Sequence, residues 1–332
     1  MLGKAAINGR GAILLGKCVA CDSFDDARPL RVVTHVHYDH LTGLQQSLRK
    51  CEAVIMTAAT RDLLEAMRGR WSLMSSNVKT LSFEEPLICE DEKLTLHFAD
   101  HILGTAQVLV EDSDGTRILY TSDFRFPRTP VVEADVLVIE ATYGNPFQVR
   151  PFDNIVENAL VSLVERGLKQ GPVYIFGYHG KLQEVMQILR NAQVKAPFIV
   201  PEKVFRISEI CEKHNMNLGK YLSSNEEEAQ SMLEEKDSCI ALYHMGSRRY
   251  VGKENFRIQV SGWEFSSPRR QIGENEHLIA LSDHSDFKGL LRYVKESSPK
   301  LVITDNYRNG AAKTLARQIE KRLKIPARPL PK

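Results

Sequence analysis

Val32 to Gly43 reads VVTHVHYDHLTG. His35, His37 and His40, with Asp39, fall within six positions straight after an apolar run, in a chain of 332 residues holding ten histidines. Composition alone does not produce such a cluster. Along an extended backbone, side chains at i and i+2 share a face, so His35 and His37 project together just past the end of a buried strand. Asp39 and His40 follow in a turn leading toward a helix and point to an adjacent position. One short segment can therefore serve two neighbouring metal sites. A solvated polar loop would hold these residues by coincidence, but ligand-type side chains gathered after a strand stand where binding residues concentrate. Two divalent metal ions are expected, zinc from the imidazole-rich donors, with manganese or magnesium as alternatives.

Two cations need more ligands than one turn offers. FADHILGTAQ places His101 at a strand end, and LYTSDF places Asp123 at another. A carboxylate there can bridge two cations roughly 3.5–4 Å apart, the spacing of binuclear hydrolytic sites. Taken singly, a histidine or aspartate at a strand end is ordinarily a cap. The weight comes from their combination with His35–His40. His97, inside TLHF, reads as structural.

The rest of the composition mainly excludes. A net charge of +2 suggests no polycation, so nucleic-acid contact would need a local basic surface. No apolar run is long enough to span a membrane and the N-terminus has no secretion pattern, which leads to an expected cytoplasmic location. Six scattered cysteines suit a reducing compartment. Cys18 and Cys21 form a lone CxxC without the second pair a structural zinc site needs, and read as buried thiols.

The first 145 residues read as short strands, among them LRVVTH, AVIMTA, KLTLHFAD and VLVIEATY, with helices near Leu41–Lys50 and Thr60–Gly69. Asp112 to Gly115, DSDG, is a hairpin turn. After YGNPFQVRP the texture becomes strand and helix in alternation, the mark of a parallel α/β unit. An acidic stretch, Ser223 to Asp237, interrupts it. The tail KIPARPLPK is expected to lack structure of its own.

With these pieces in place, THVHYDH, DHILGTAQ and TSDF resemble the successive motifs of the metallo-β-lactamase fold. VLVIEATYGNP, FGYHGKLQEVMQIL and LSDHSDFKGLLRYV resemble extra motifs of its nucleic-acid-processing branch, which carries an inserted β-CASP cap. The likeness covers nearly the whole chain, in particular to ligase-associated DNA exonucleases and mRNA 3′-end-processing-type exonucleases. It extends to Artemis-type crosslink-repair nucleases. It implies an α/β architecture: an αββα sandwich from residues 1–147 and 274–332, with an α/β cap at 148–273.

The resemblance also implies roles. His35, His37 and His101 would hold one metal, Asp39 and His40 the other, and Asp123 both. Asp39 would orient or deprotonate the attacking water. His284 would complete the second site or protonate the departing oxygen, and Glu140 would fix a histidine's tautomer and orientation. Ser282, Ser285, Arg248 and Arg249 are candidate phosphate contacts, together with Arg125, Arg128, Arg269 and Arg270. Tyr143 and Trp263 are candidate base-stacking residues, and His179 reads as a turn residue. Where many RNA-cleaving relatives have a histidine, LVITDNYRNG has Asp305 and Asn306, which leans the reading toward DNA. Asp305 is either a metal ligand or part of a polar turn. The implied activity is a phosphodiester-hydrolysing nuclease, a DNA exonuclease with 5′-to-3′ polarity favoured, acting on nucleic acid, with a DNA ligase or other repair or processing proteins as candidate partners. The alternatives are an RNA-processing nuclease, a non-catalytic nucleic-acid-binding scaffold, and a small-molecule hydrolase of the same fold.

Overall fold

Strands in the first half of the chain fill one sheet and then a second, and that succession builds the layers. A computed structural model describes residues 3–69, 73 and 75–332. Among them, β1 (Ala5–Ile7), β2 (Ile13–Leu15), β3 (Val19–Cys21), β4 (Leu30–Val32), β5 (Ala53–Met56) and β6 (Val78–Thr80) pair in sequence order to form one sheet. A second sheet has the order β20-β19-β11-β10-β9-β8-β7. It comprises β7 (Pro86–Cys89), β8 (Glu92–Phe98), β9 (Ala106–Glu111), β10 (Arg117–Tyr120), β11 (Val136–Ile139), β19 (Leu301–Asp305) and β20 (Ala327–Leu330).

Residues at i and i+2 face one side of a strand. Leu94, Leu96, Val108, Val110, Ile118, Tyr120, Val136 and Val138 meet Ile13, Leu15, Val19, Val32 and Ile55 in one core between the sheets. The intervening Leu109, Leu119, Leu137 and Ile139 join a second core with Phe287, Leu290 and Val294 from α7 (Phe287–Ser297) and Leu315 and Ile319 from α8 (Ala312–Leu323). Buried on both faces, these strands read as continuous apolar runs. α1 (Leu44–Lys50) packs on β5, and α2 (Ala58–Arg68) follows it, started by Thr57, whose hydroxyl accepts from Thr60 N.

β8 and β10 are both antiparallel to β9, while β11 and β19 run parallel to β10. Their carboxyl ends therefore share one edge of the sheet, where His101, Asp123, Glu140 and Asp305 emerge.

The chain forms two compact units, Met1–Val149 with Asp283–Lys332, and Arg150–Ser282. The second contains β12 (Val173–Gly177), β13 (Phe198–Val200), β14 (Tyr221–Ser223), β15 (Ile240–His244), β16 (Phe256–Val260), β17 (Arg269–Gln271) and β18 (Glu276–Ile279), ordered β14-β13-β15-β12-β16-β18-β17. All its pairings are parallel except β17 with β18. Its helices are α3 (Asp153–Leu168), α4 (Lys181–Asn191), α5 (Glu202–Lys213) and α6 (Glu227–Glu234), the last formed by the acidic stretch.

Two expectations need correction. A border at 273/274 cuts the β17–β18 hairpin, because β18 pairs with β16 and stays with the second unit. The tail is structured: β20 runs parallel to β19, with Pro329 opposite Thr304. An edge strand tolerates the missing proline N–H. No described helix is long and apolar enough to cross a membrane.

Candidate metal centre

Three strand ends and the Tyr38–His40 turn meet at one point of the first unit. His35 follows β4 and is fully buried. Its Nδ1 lies 3.1 Å from Thr34 Oγ1 and 3.3 Å from Ser122 Oγ. Thr34 Oγ1 in turn donates to Asp22 Oδ2 (2.9 Å) and accepts from Ser122 Oγ (2.8 Å). That leaves a lone pair for His35 Nδ1–H, so Nε2 is unprotonated and faces the centre. His101 is fixed in the same manner, with Nδ1 donating to the Asp283 carbonyl at 2.9 Å. Its Nε2 lies 3.0 Å from His37 Nδ1. His40 Nδ1 donates to buried Asp22 Oδ2 at 2.7 Å.

These second nitrogens converge on one carboxylate. Asp123 Oδ2 lies 3.2 Å from His40 Nε2, 3.7 Å from His35 Nε2 and 3.8 Å from His101 Nε2. Ligand atoms of His35, His37, His101 and Asp123 all fall within 4.8 Å of one another. His35 Nε2 and His40 Nε2 are buried yet make no hydrogen bond. Buried polar nitrogens without partners are rare in folded proteins, and neutral imidazoles beside an aspartate are the donor set a divalent cation takes. The residues fit such an ion.

Electrostatics agree with neutral imidazoles at His35, His37 and His101, whereas the metal-free His40 ring is charged. Burial pushes the pKa values of His35 and His37 down, and that of His101 to about 3, so all three rings are neutral, the form that a divalent cation binds. Burial and the Arg308 guanidinium oppose charge on His40, but Asp123 and Asp22 outweigh them and hold its pKa well above the usual value. Burial would raise the Asp123 carboxyl, yet charge on His40 keeps it well below the carboxylate range. Asp39, 59% exposed, lies 3.5 Å from His40 Nε2. Against the effect of burial, the contact with the His40 ring holds its pKa at about 2.

Glu140, at the end of β11, accepts from Phe124 N and Thr142 N and pairs with His284 Nδ1 through both oxygens, at 3.1 and 3.2 Å. Burial would lower the His284 pKa, but the Glu140 carboxylate, with Asp123 and Asp283 beyond it, lifts it to about 9. The His284 ring sits 4.8 Å from that of His101. Asp123, Glu140 and His284 form a second convergent group.

Other candidates do different work. Ser285 Oγ donates to Phe124 O and accepts from Phe126 N, holding the segment after Asp123, so it is not a phosphate cradle. Tyr143 is 1% exposed, its ring 5.8 Å from that of His284, and cannot present a face to a base. Ser282 is buried in the second unit. There too, Arg248 is clamped by Glu276 at 2.5 and 2.8 Å. Arg249 Nη2 donates to Tyr250 OH, and Trp263 is 60% exposed. Asp305 is not a free ligand: its Oδ2 pairs with Arg308 Nη1 at 2.7 Å and its Oδ1 accepts from Tyr307 N.

Sequence reasoning missed Asp22, Thr34, Ser122, Asp283 and Arg308. Asp22 and Ser122 hold positive φ, 61° and 57°. Such strain in non-glycine residues gathers at functional sites, but no sequence pattern discloses it.

Facing sheets with histidines and carboxylates gathered at their strand ends define an α/β protein with a cluster of side chains suited to divalent metal. The sequence profile of the Metallo-beta-lactamase superfamily matches residues 32–185. The chain is 41% identical over 138 residues to "Uncharacterized protein in lig 3'region" of Acidianus ambivalens, covering 41% of this chain and 99% of that protein. It is 25% identical over 292 residues to a probable DNA ligase of Opitutus terrae, covering 82% of this chain and 26% of that protein. It is 30% identical over 193 residues to an RNase J-like protein of Methanocaldococcus jannaschii, covering 50% of this chain and 44% of that protein. The chain thus spans less than half of the latter two. A crystal structure of a protein of unknown function from Enterococcus faecalis V583 shares the fold, with a TM-score of 0.62 at 12% identity, over 93% of this chain and 81% of that one. The matched residues, 32–185, include His35, His37, Asp39, His40, His101, Asp123 and Glu140, so the part of the chain that carries the cluster is the part similar to the metallo-beta-lactamase superfamily.

Proposed function

We propose that this protein is a binuclear-metal-dependent nuclease that hydrolyses phosphodiester bonds. DNA is favoured over RNA, and an exonuclease of 5′-to-3′ polarity over an endonuclease. The observation that carries the reading is the gathering of His35, His37, His40, His101 and Asp123 around one point, with two buried Nε2 atoms lacking partners. His35, His37 and His101 would hold one cation, Asp39 and His40 the other, and Asp123 both. Zinc suits the donors best, and manganese or magnesium are alternatives. When bound, such ions lower the pKa of water and polarise a phosphoryl oxygen.

The remaining work falls to the chain. Asp39, ionised and exposed beside His40, orients the attacking water and accepts its proton at a carboxylate oxygen. His284 carries a proton at neutral pH because Glu140 stabilises the charged ring, and Nε2 delivers it to the departing oxygen. Glu140 is spent on this pairing and positions His284 rather than touching substrate.

The lean toward DNA rests on Asp305 where RNA-cleaving relatives have a histidine, and on relatives named for a ligase or its gene neighbourhood. A ligase or another repair protein is accordingly the partner to seek first. An RNA substrate is supported by the relative named RNase J-like. Digestion of end-labelled single-stranded DNA and RNA, with and without a 5′ phosphate, across zinc, manganese and magnesium, tests the reading. Release of mononucleotides from 5′-phosphorylated DNA is expected. Absence of cleavage of either polymer with every metal overturns it, and a protein that binds metal and polymer without turnover would be a scaffold.

A further inference from the structure

The two halves of the centre are not built alike. One has three neutral imidazoles and Asp123. The other has His40, Asp39 and the shared Asp123, and its neighbour from the end of β19 is an ion pair instead of a ligand. Asp305, 3% exposed, accepts from the amides of Tyr307 and Arg308 and binds the Arg308 guanidinium through Oδ2. Arg308 Nη2 reaches the Asp39 carbonyl at 3.4 Å and the Gly11 carbonyl at 3.5 Å. The arginine cannot swing away easily. The adjacent Tyr307 ring lies so close over Gly11 that a Cβ there would meet it at 2.2 Å, and Gly310, at φ +154°, lies equally close to the Ala141 carbonyl.

The geometry points to an unequal centre: the fixed charge of Arg308 beside the Asp39–His40 turn lowers that half's affinity for its cation, so the His35–His37–His101 half fills first. A guanidinium does not lose its charge in a protein, and like charges in a partly desolvated site repel far more than in water. Arg308 Nη2 stands 3.4 Å from the Asp39 carbonyl, in the residue next to His40, so a cation held by that turn meets its charge at short range. Asp305 offsets part of it, so the two members of the pair have opposite effects. Residues beyond the ligands shift metal affinity by about 10–100-fold.

The inference deepens the two-cation reading and is tested by metal binding itself. Apo protein, prepared with a chelator, is titrated with Zn²⁺ by calorimetry, with bound metal counted by mass spectrometry and folding followed by circular dichroism. Wild type is expected to take up a second equivalent at least about tenfold more weakly than the first. Arg308→Met should narrow that gap about tenfold, Asp305→Asn should widen it, and Arg308→Lys, which keeps the charge, should leave it as in wild type. Two equal sites in wild type overturn the inference. So does parallel weakening in Arg308→Met and Asp305→Asn, which would make the pair a mere brace for the turn, or a gap closed equally by Arg308→Lys. Should Arg308→Met fail to fold, the lysine and Asp305→Asn variants decide. Unequal metal binding without cleavage of polynucleotide would sink the nuclease reading and leave this one standing.

Discussion

Replacing Asp22 with asparagine changes no ligand, yet it should cripple metal binding. Asp22 is fully buried and accepts three hydrogen bonds, from Thr34 N, Thr34 Oγ1 and His40 Nδ1. With a cation bound, the last would keep the ring proton on Nδ1 and leave His40 Nε2 free to ligate. Asparagine can accept at only one of its two positions. If its oxygen stays on Thr34 N, the amide NH₂ faces His40 Nδ1–H, and the imidazole must move its proton to Nε2, where a cation would bind. If the amide flips, its NH₂ meets Thr34 N–H, leaving buried donors unpaired at about 1–3 kcal/mol. Partners that orient a ligating histidine are worth about 10–100-fold in metal affinity, or roughly 1.4–2.7 kcal/mol. Competition with a chromophoric chelator would read the loss, and urea unfolding of the metal-free protein would show how much comes from folding. Asp22→Asn binding Zn²⁺ within about twofold of wild type, with the fold intact, would refute the tautomer argument.

Other consequences follow from the same geometry. Alanine at both Asp39 and His40 should abolish phosphodiester hydrolysis while circular dichroism stays unchanged, since Asp39 is exposed and the turn is short; retained turnover would remove both from the mechanism. Glu140→Gln should lower the His284 pKa in the metal-free protein well below about 9, because the carboxylate paired with the ring is gone and only Asp123 and Asp283 then oppose burial; a histidine-resolved NMR titration measures this. In the second unit, hydrogen bonding from Arg248 holds the Glu276 carboxyl below its ordinary 4.5. That pair stabilises the fold above the unfolded pKa and ceases to do so as pH falls through the folded one. Glu276→Gln should therefore be less stable than wild type near neutrality, with the difference shrinking below about pH 4.5 in pH-dependent urea melts.

What the sequence disclosed, and what it hid, divides by the physics involved. His35, His37, Asp39, His40, His101 and Asp123 were legible because ligand chemistry and strand period are both written into local spacing. Their placement at strand ends was legible because apolar runs precede the His35–His40 turn, His101 and Asp123. Asp22 was not: in CDSFDD it is one of three aspartates, and only burial against His40 separates it from Asp25, which bonds Asn8. Tyr143 and Ser285 looked like substrate contacts because nothing local says that one is packed away and the other is consumed by Phe124 and Phe126. The second border was misplaced because the strand within HLIAL carries no sign of which sheet it joins. The tail failed for a related reason, since β20 is held by β19 and not by its own proline-rich residues. Arg308 became visible only through contacts spanning 269 residues, to the Asp39 carbonyl.

Anomalous diffraction from a crystal of this protein grown with zinc tests the central claim most directly. The account predicts a strong peak about 2.0–2.2 Å from nitrogens of His35, His37 and His101 and an oxygen of Asp123, with a weaker one beside Asp39 and His40. Zinc bound only elsewhere, or these side chains left without any peak between them, would contradict it.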